Sequence, residues 1–294
     1  MTLAWDHVER ITKGRLGVTA RSVCPFCSST RSPSGQRKPV FAVLLKEPDF
    51  ALFNCCHCGA SGYVHPDTRI TDPAEWKRHR AEADRREHDD KERRTASALA
   101  IWKERKPFRG SPAETYLRIT RRIGDWLDSF DRIDEALAYH PACPFEAERP
   151  PCMIALVRNI RTDEPQSIHR TALKLGPSPE RIGRLSLGPI AGGAIKLSPD
   201  DEVTGGLLVG EGIETVLSAS LMFQFRPAWS LISTAGMRSF PVLSGIECVT
   251  VAVDNDKAGE EAAAELVQRY SAAGVEIITI KTNCAKDFND VRTS

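Results

Sequence analysis

The sequence has no long apolar run. Nowhere do about 18 hydrophobic residues follow one another, so no segment suits a membrane-spanning helix. The N-terminal stretch MTLAWDHVERITKGRLG lacks the apolar core of a secretory signal, which makes the cytoplasm the expected compartment. An excess of charge of either sign is missing too. Forty basic residues face 39 acidic ones, a formal net charge of +1. That balance excludes a uniformly cationic surface and confines any nucleic-acid contact to local patches. What the chain does have is 294 residues, 41% of them hydrophobic, enough for two or more domains. It also has nine cysteines, five of them between Cys24 and Cys58 and the other four scattered. Without a secretory signal, such clustering points to metal before disulfides.

Cys24-Pro-Phe-Cys27 and Cys55-Cys56-His57-Cys58 are two Cys-x-x-Cys knuckles. Between them FAVLL and FALFN, separated by KEPD, read as a β-hairpin. Two knuckles at the ends of a short hairpin can set four thiolates tetrahedrally around one Zn²⁺, a closed site that contributes folding and no chemistry. Spacing favours Cys24, Cys27, Cys55 and Cys58 as the ligands; Cys56 or His57 in place of Cys55 would shorten the turn. Arg21, Arg31, Arg37 and Lys38 lie around the knuckles, with Phe26, Phe41, Phe50 and Phe53 interleaved. Basic and aromatic groups so mixed can grip a single nucleic-acid strand, although most of these phenylalanines are better spent as the core of so small a module. Cys143, Cys152, Cys248 and Cys284 are too dispersed for a second metal site and read as free thiols.

From Glu75 to Lys106 acidic and basic residues alternate at spacings that allow i, i+4 pairs, the pattern of a solvated connecting helix ended by Pro107. Helical patterns follow in AETYLRI and IGDWLDSFDRIDEALAYHP. MIALVRNI and QSIHRTALKL then flank the turn RTDEP as an antiparallel hairpin. The Gly- and Pro-rich stretch SLGPIAGGAIKLSPDDEVTGG reads as a connection to the last segment. There, LLVG, WSLIST, VTVAVD and VEIITI alternate with helical runs, which predicts a mainly parallel sheet with helices on its faces. The expected boundaries are 1–66 for the cysteine module, 67–107 for the charged helix, 108–203 for a middle subdomain and 204–294 for the α/β domain.

In a parallel α/β sheet, functional groups gather at the carboxyl ends of the strands. Glu211 follows LLVG, Asp254 ends VTVAV with Asp256 two residues on, and Asp287 and Asp290 of KDFND follow VEIITI. A lone strand-end aspartate is as well explained as the cap of the next helix. Carboxylates at three such junctions of one sheet repel one another unless a cation intervenes. Hard oxygen ligands of this kind suit Mg²⁺, which keeps waters and shares its shell with phosphates.

CPFC…FNCCHCGASG resembles the N-terminal zinc ribbon of DnaG-type bacterial primases and their phage and plasmid relatives. LLVGEGIETVLSA, VAVDNDKAGEEAA and KDFNDV together resemble the Toprim catalytic domain. The middle region, with YHPACPF, IHRTALKL and RLSLGPIAGGAIKL, is similar to the segment preceding Toprim in primase-like proteins of mobile elements. The resemblance spans nearly the whole chain. It implies a multidomain α+β fold: a β zinc ribbon, a charged helical linker, a mixed α/β primase-core subdomain and a C-terminal α/β Toprim domain with a mainly parallel sheet. Glu211 becomes the first Toprim acid, Asp254 and Asp256 the Mg²⁺ (or Mn²⁺) pair, and Asp287 and Asp290 a supporting third motif. The sequence departs from the cellular primases in carrying Thr215 where an Asp usually stands. A helicase-binding domain is not expected, and the lack of a G-x-x-x-x-G-K-[ST] motif leaves out a fused P-loop helicase.

The implied activity is synthesis of short RNA primers on a single-stranded DNA template from ribonucleoside triphosphates, with a separate replicative helicase as partner. Cations must then face the triphosphate and the template. His169, Arg170 and Lys174 on QSIHRTALKL, with Arg181 and Arg184 beyond, are the candidates, against the plainer reading of each as a solvated charge. Strand alternation sets Arg170 and Lys174 on one face and His169 on the other. Lys286 beside Asp287 serves as charge compensation or a further contact. Two rival functions share these motifs. A Toprim nuclease uses the same acids, whereas a topoisomerase would need a nucleophilic tyrosine, and none of the four tyrosines has a convincing setting. A non-catalytic recombination mediator of the RecR kind also joins cysteine-bound zinc to Toprim, with knuckles closer together and no large middle region.

Overall fold

Phe41, Val43 and Leu45 alternate with less buried residues along one strand, and Ala51, Phe53 and Cys55 do so along the next. That period of two builds the first sheet. The computed structural model describes residues 3–66, 73–282 and 288–293. The chain divides into two units, Met1–Asp84 and Arg85–Ser294. In the first, α1 (Trp5–Thr12) precedes strands β1 (Thr19–Ser22), β2 (Phe41–Glu47), β3 (Phe50–Cys55) and β4 (Ser61–Val64), which pair antiparallel in that order. Val8 of α1 joins the buried face. The rings of Phe26, Phe41 and Phe53 stack within it at centroid distances of 5.6 to 5.9 Å, each fully buried phenylalanine contributing about 1.5–3 kcal/mol. Phe50 takes the opposite face, against Tyr63 and His65. Three of the four phenylalanines are thus core, as the size of the module required.

The charged segment forms α2 (Pro73–Lys103). Exposed pairs run along it as expected, His88 with Glu92 at 3.1 Å and Arg94 with Asp90 at 2.8 Å. Its last turns are different. Ala98 and Trp102 are buried with Ala138, Cys143, Cys152 and Ile154, so the end of the helix is part of the second unit's core and no solvated spacer.

Beyond α2 the expected helices are largely replaced by turns. Ser111 caps the short α3 (Pro112–Thr115), its Oγ accepting from the Ala113 and Glu114 amides. A wide turn over Tyr116–Thr120 follows, then single 3₁₀ turns at Gly124–Ser129 and Ile133–Glu135. Arg122 and Gly124 have φ of 52° and 60°, a left-handed backbone that no continuous helix admits. Strands β5 (Leu137–His140), β6 (Cys152–Asn159), β7 (Pro165–Lys174), β8 (Glu180–Leu187) and β9 (Gly193–Lys196) complete the middle region. The last segment alternates as the sequence predicts: β10 (Gly206–Gly210), α4 (Ile213–Phe223), β11 (Ala228–Ser230), α5 (Thr234–Ser239), β12 (Cys248–Ala252), α6 (Lys257–Ala272), β13 (Glu276–Ile280) and α7 (Phe288–Thr293).

β13, β12, β10 and β11 are mutually parallel, with β10 central. β9 runs antiparallel to both β11 and β6. It therefore joins this sheet to the antiparallel β5, β6, β7 and β8. The middle and last regions share one nine-stranded sheet, and one apolar cluster runs from Phe108 and Tyr116 to Val216 and Phe288. β9 lies within the stretch that reads as a connection, because four residues among Gly and Pro carry no periodic signal. All four are buried. Gly193 opens the strand where a Cβ would stand 2.6 Å from Val157 Cγ1 and 2.8 Å from Gln166 Nε2. Gly193→Ala should accordingly lower stability by about 1–3 kcal/mol in a denaturant titration. Gly176→Ala, with nothing within 4 Å of the added carbon, should leave the midpoint close to wild type.

Candidate functional site

Two sites take shape from the sequence motifs, one in each unit. In the first, Cys24 and Cys27 come from the turn after β1, and Cys55 and Cys58 from the end of β3 and its turn. Their four sulfurs lie within 4.8 Å of one another. Cys24 Sγ is 4.0 Å from Cys58 Sγ, and Cys27 Sγ is 3.9 Å from Cys55 Sγ. Sulfurs about 2.3 Å from one zinc ion stand about 3.8 Å apart at tetrahedral angles, so the donor set and its spacing fit Zn²⁺. Burial pushes the Cys55 thiol up, but backbone N–H groups of Cys58 and His57 and the neighbouring thiols outweigh it and bring its pKa to about 6. A thiolate is what the metal takes. Cys56 turns away, its thiol on the Val40 carbonyl at 3.3 Å. His57 Nδ1 stands 3.7 Å from Cys27 Sγ, beside the four sulfurs and outside their set.

The second site is a cleft of about 210 Å³ at the carboxyl ends of β10 and β12. Glu211 follows β10 directly, and its carbonyl accepts from Ser230 Oγ at 2.7 Å and Ile232 N at 2.8 Å. Ile232 holds φ of 73° to make that contact, a conformation rare for a β-branched residue. Asp254 and Asp256 come from the loop after β12, and Asp290 from α7. The expectation that these acids share one edge is met for those four. Lys286 and Asp287 lie outside the described residues. Asp256 also caps α6, its Oδ1 accepting from Gly259 N at 2.9 Å. Capping and lining the cleft are therefore both true of this side chain. Gly259 is required there, because a Cβ would stand 2.7 Å from the Asp254 carbonyl oxygen.

Among the described residues, only the cysteines bring three or more possible ligand atoms within 4.8 Å. The carboxylates line the cleft without converging that closely. Their oxygen chemistry fits a hard divalent ion such as Mg²⁺.

Three arginines line the same cleft: Arg121, Arg181 and Arg184. Arg181 and Arg184 are three residues apart, which regular alternation would send to opposite faces. A register shift puts both against the cleft: Arg181 pairs with Leu173, Gly183 with Ala172 and Arg184 with Thr171, leaving Ile182 as the extra residue of a bulge. Lys174, the exposed last residue of β7, does not line the cleft. Arg170 faces away: its guanidinium donates to the Pro144 carbonyl and, at 3.2 Å, to that of Ser186, and stacks on Phe145. It is a buried structural arginine. His169 points the other way, Nδ1 at 3.0 Å from Ser186 Oγ. Burial lowers its pKa to about 4, against a partial upward pull from Glu214, so it is neutral near pH 7. Of the five basic residues drawn from the sequence, the structure brings Arg181 and Arg184 to the cleft and leaves His169, Arg170 and Lys174 off its lining.

Sequence reasoning passed over Glu214. It lies on the first turn of α4, 5% exposed, with Arg181 Nη1 at 3.3 Å from Oε1 and Arg184 Nη1 at 3.8 Å from Oε2. Tyr116 OH donates to Oε1 at 2.8 Å. Burial opposes its charge, but Arg184, Arg181 and Tyr116 outweigh burial and hold the carboxyl below the usual range. Tyr116 in turn accepts from Arg121 Nε at 2.8 Å, and Arg121 Nη1 donates to Asn289 Oδ1 at 2.9 Å. The available signal was compositional: Glu214 is the one charged residue of the run IETVLSASLMF that forms α4, and a lone charge on a helix that packs into a core demands buried partners.

With this geometry in place, the comparisons are informative. Residues 206–294 match the family model described as the Toprim domain. Residues 92–197 match one described as a domain of unknown function. Among solved structures, the primase fragment of the bacteriophage T7 primase-helicase protein is similar at 16% identity and a TM-score of 0.39, covering 53% of this chain and 62% of its own. The chain thus spans about three fifths of that fragment. The zinc-binding and RNA polymerase domains of the Aquifex aeolicus primase are similar at 15% identity and a TM-score of 0.38, over 99% of this chain and 82% of theirs. A DNA primase domain from Pseudomonas aeruginosa is similar at 15% identity and a TM-score of 0.33, over 49% of this chain and 47% of its own. No curated protein matches the chain.

Zinc can be tested directly. Purified protein titrated with a mercurial should release one zinc equivalent per chain into a colorimetric chelator. Cys27→Ser should lose most of it, and Asp254→Asn should retain it.

Proposed function

We propose that the chain is a primase-like nucleotidyltransferase that joins ribonucleotides on single-stranded DNA. One observation carries this reading: a single cleft is lined both by carboxylates from the Toprim strand ends and by arginines from the middle region. Acids alone would suit many metal enzymes. Acids together with guanidinium groups suit a substrate that carries both a bound cation and a chain of phosphates.

In this reading Glu211, Asp254 and Asp256 hold Mg²⁺, with Asp287 and Asp290 in support. When bound, the ion polarises a phosphate and activates an attacking hydroxyl. The chain's own residues do the rest. Arg181 and Arg184 grip the triphosphate, and Arg121 donates from the rim. The Glu211 carbonyl, pinned by Ser230 and Ile232, fixes where its carboxylate leaves the sheet. Asp256, capping α6 with one oxygen, presents the other without rotamer freedom. Lys286 compensates the adjacent acid. The zinc ribbon takes part in template recognition, and a separate replicative helicase is a partner of the same scheme. The Toprim nuclease is the rival that an assay separates.

The experiment is incubation of the protein with single-stranded DNA, Mg²⁺ and labelled ribonucleotides. Short new RNA is the expected product, reduced about 100-fold or more by Asp254→Asn, as for loss of a principal electrostatic contact in a water-poor site. DNA binding by that variant should stay near wild type. Shortened DNA with no RNA would replace this reading with the nuclease.

A further inference from the structure

Among the described residues Glu214 is the one buried carboxylate of the cleft, and its neighbours determine what it can do. Its Oε1 takes the Tyr116 hydroxyl and Arg181, and its Oε2 faces Arg184. Two guanidinium groups beside it repel a divalent cation, so it is a poor metal ligand although it lies three residues from Glu211. The arginines are in a different position. One carboxylate shared by two guanidinium groups leaves the trio with net positive charge. Each guanidinium has five donors, more than the contact with Glu214 uses. Their side chains are 33% and 43% exposed, so the far donors are open to the cleft.

The backbone is shaped to bring them there. The bulge at Ile182 turns both arginines to one face. Gly183, beside the bulge, leaves room for the Phe145 ring, since an added Cβ would stand 2.9 Å from Phe145 Cζ. Glu214 itself is fixed on α4, which begins one residue after Gly212. Glu211 and Glu214 therefore belong to one short segment that enters the same cleft twice.

The geometry points to Glu214 as a positioning residue that holds Arg181 and Arg184 aimed at the phosphate chain of a nucleoside triphosphate, at a fixed offset from the carboxylate of Glu211. This rests on the nucleotidyltransferase reading above. Arginine side chains lose much rotamer freedom on binding, and a carboxylate that orders two of them beforehand lowers that loss. The effect falls on substrate affinity, since Glu214 touches no reacting atom.

The test is Glu214→Gln, which keeps the volume and the Tyr116 contact but removes the charge. Binding of a fluorescent ATP analogue with Mg²⁺ and the KM and kcat for primer synthesis are read together. The expected result is about tenfold weaker nucleotide binding and a matching rise in KM, as for one charge-assisted contact, with kcat within about threefold of wild type. Glu214→Asp should recover part of the affinity. In an Arg181→Ala/Arg184→Ala background, Glu214→Gln should have no further effect on binding, because nothing is left for it to aim. Unchanged affinity, or a fall in kcat at constant KM, overturns the positioning role and leaves the functional reading intact. Wild-type protein that binds no nucleotide overturns both. If Glu214→Gln does not fold, as judged by circular dichroism, Tyr116→Phe carries the comparison. A smaller rise in KM then supports the role, and none overturns it.

Discussion

Carboxylates at the ends of adjacent parallel strands repel one another, and the second unit is arranged around that repulsion. β10 and β12 are neighbours in register, Gly210 opposite Ala252, so Glu211 and the Asp254/Asp256 loop emerge at the same edge. Nothing in the sheet can separate them without breaking its ladder. Part of that charge is offset by the protein, through the arginines of β8 and the turn after α3 that line the same cleft. A cleft that carries both acids and guanidinium groups is the electrostatic complement of a metal-bound phosphate chain.

Holding the acids and the arginines together is the task of the sheet. β9 pairs with β11 on one side and β6 on the other, so the strands carrying the arginines and the strands carrying the acids are parts of one hydrogen-bonded surface. The shared apolar cluster from Phe108 to Phe288 adds close packing, which transmits a fixed distance better than a loop does. The chain from Asn289 through Arg121 and Tyr116 to Glu214 ties α7 to α4 across the same body.

What could be read from the residues alone follows from how local each signal is. The cysteine knuckles and the strand-end acids were legible because their spacing is short and their chemistry admits few alternatives. The helical pattern of α4 and α6 was legible from periodicity. The basic residues were only half legible. Arg181 and Arg184 differ in parity, and the bulge at Ile182 that turns both to the cleft leaves no mark in composition. Glu214 was hidden because an acid on a first helical turn is what a dipole or a cap would also select. Its burial, a tertiary fact, is what separates it. The region 124–139 misled because its apolar spacing is helical while the backbone at Arg122 and Gly124 is not. β9 was missed for the opposite reason, being too short and too rich in glycine nearby to show a period.

The account turns on a divalent ion shared between the Toprim acids and the phosphates of a nucleotide. The most direct measurement is phosphorus hyperfine coupling in the electron-nuclear spectrum of protein-bound Mn²⁺ with ATP, for wild type and for the Glu211→Gln/Asp254→Asn double variant. Wild type is predicted to bind the ion in a complex whose signal shows direct phosphate coordination, and the double variant to lose the protein-bound signal. Equal signals from both proteins would contradict the account.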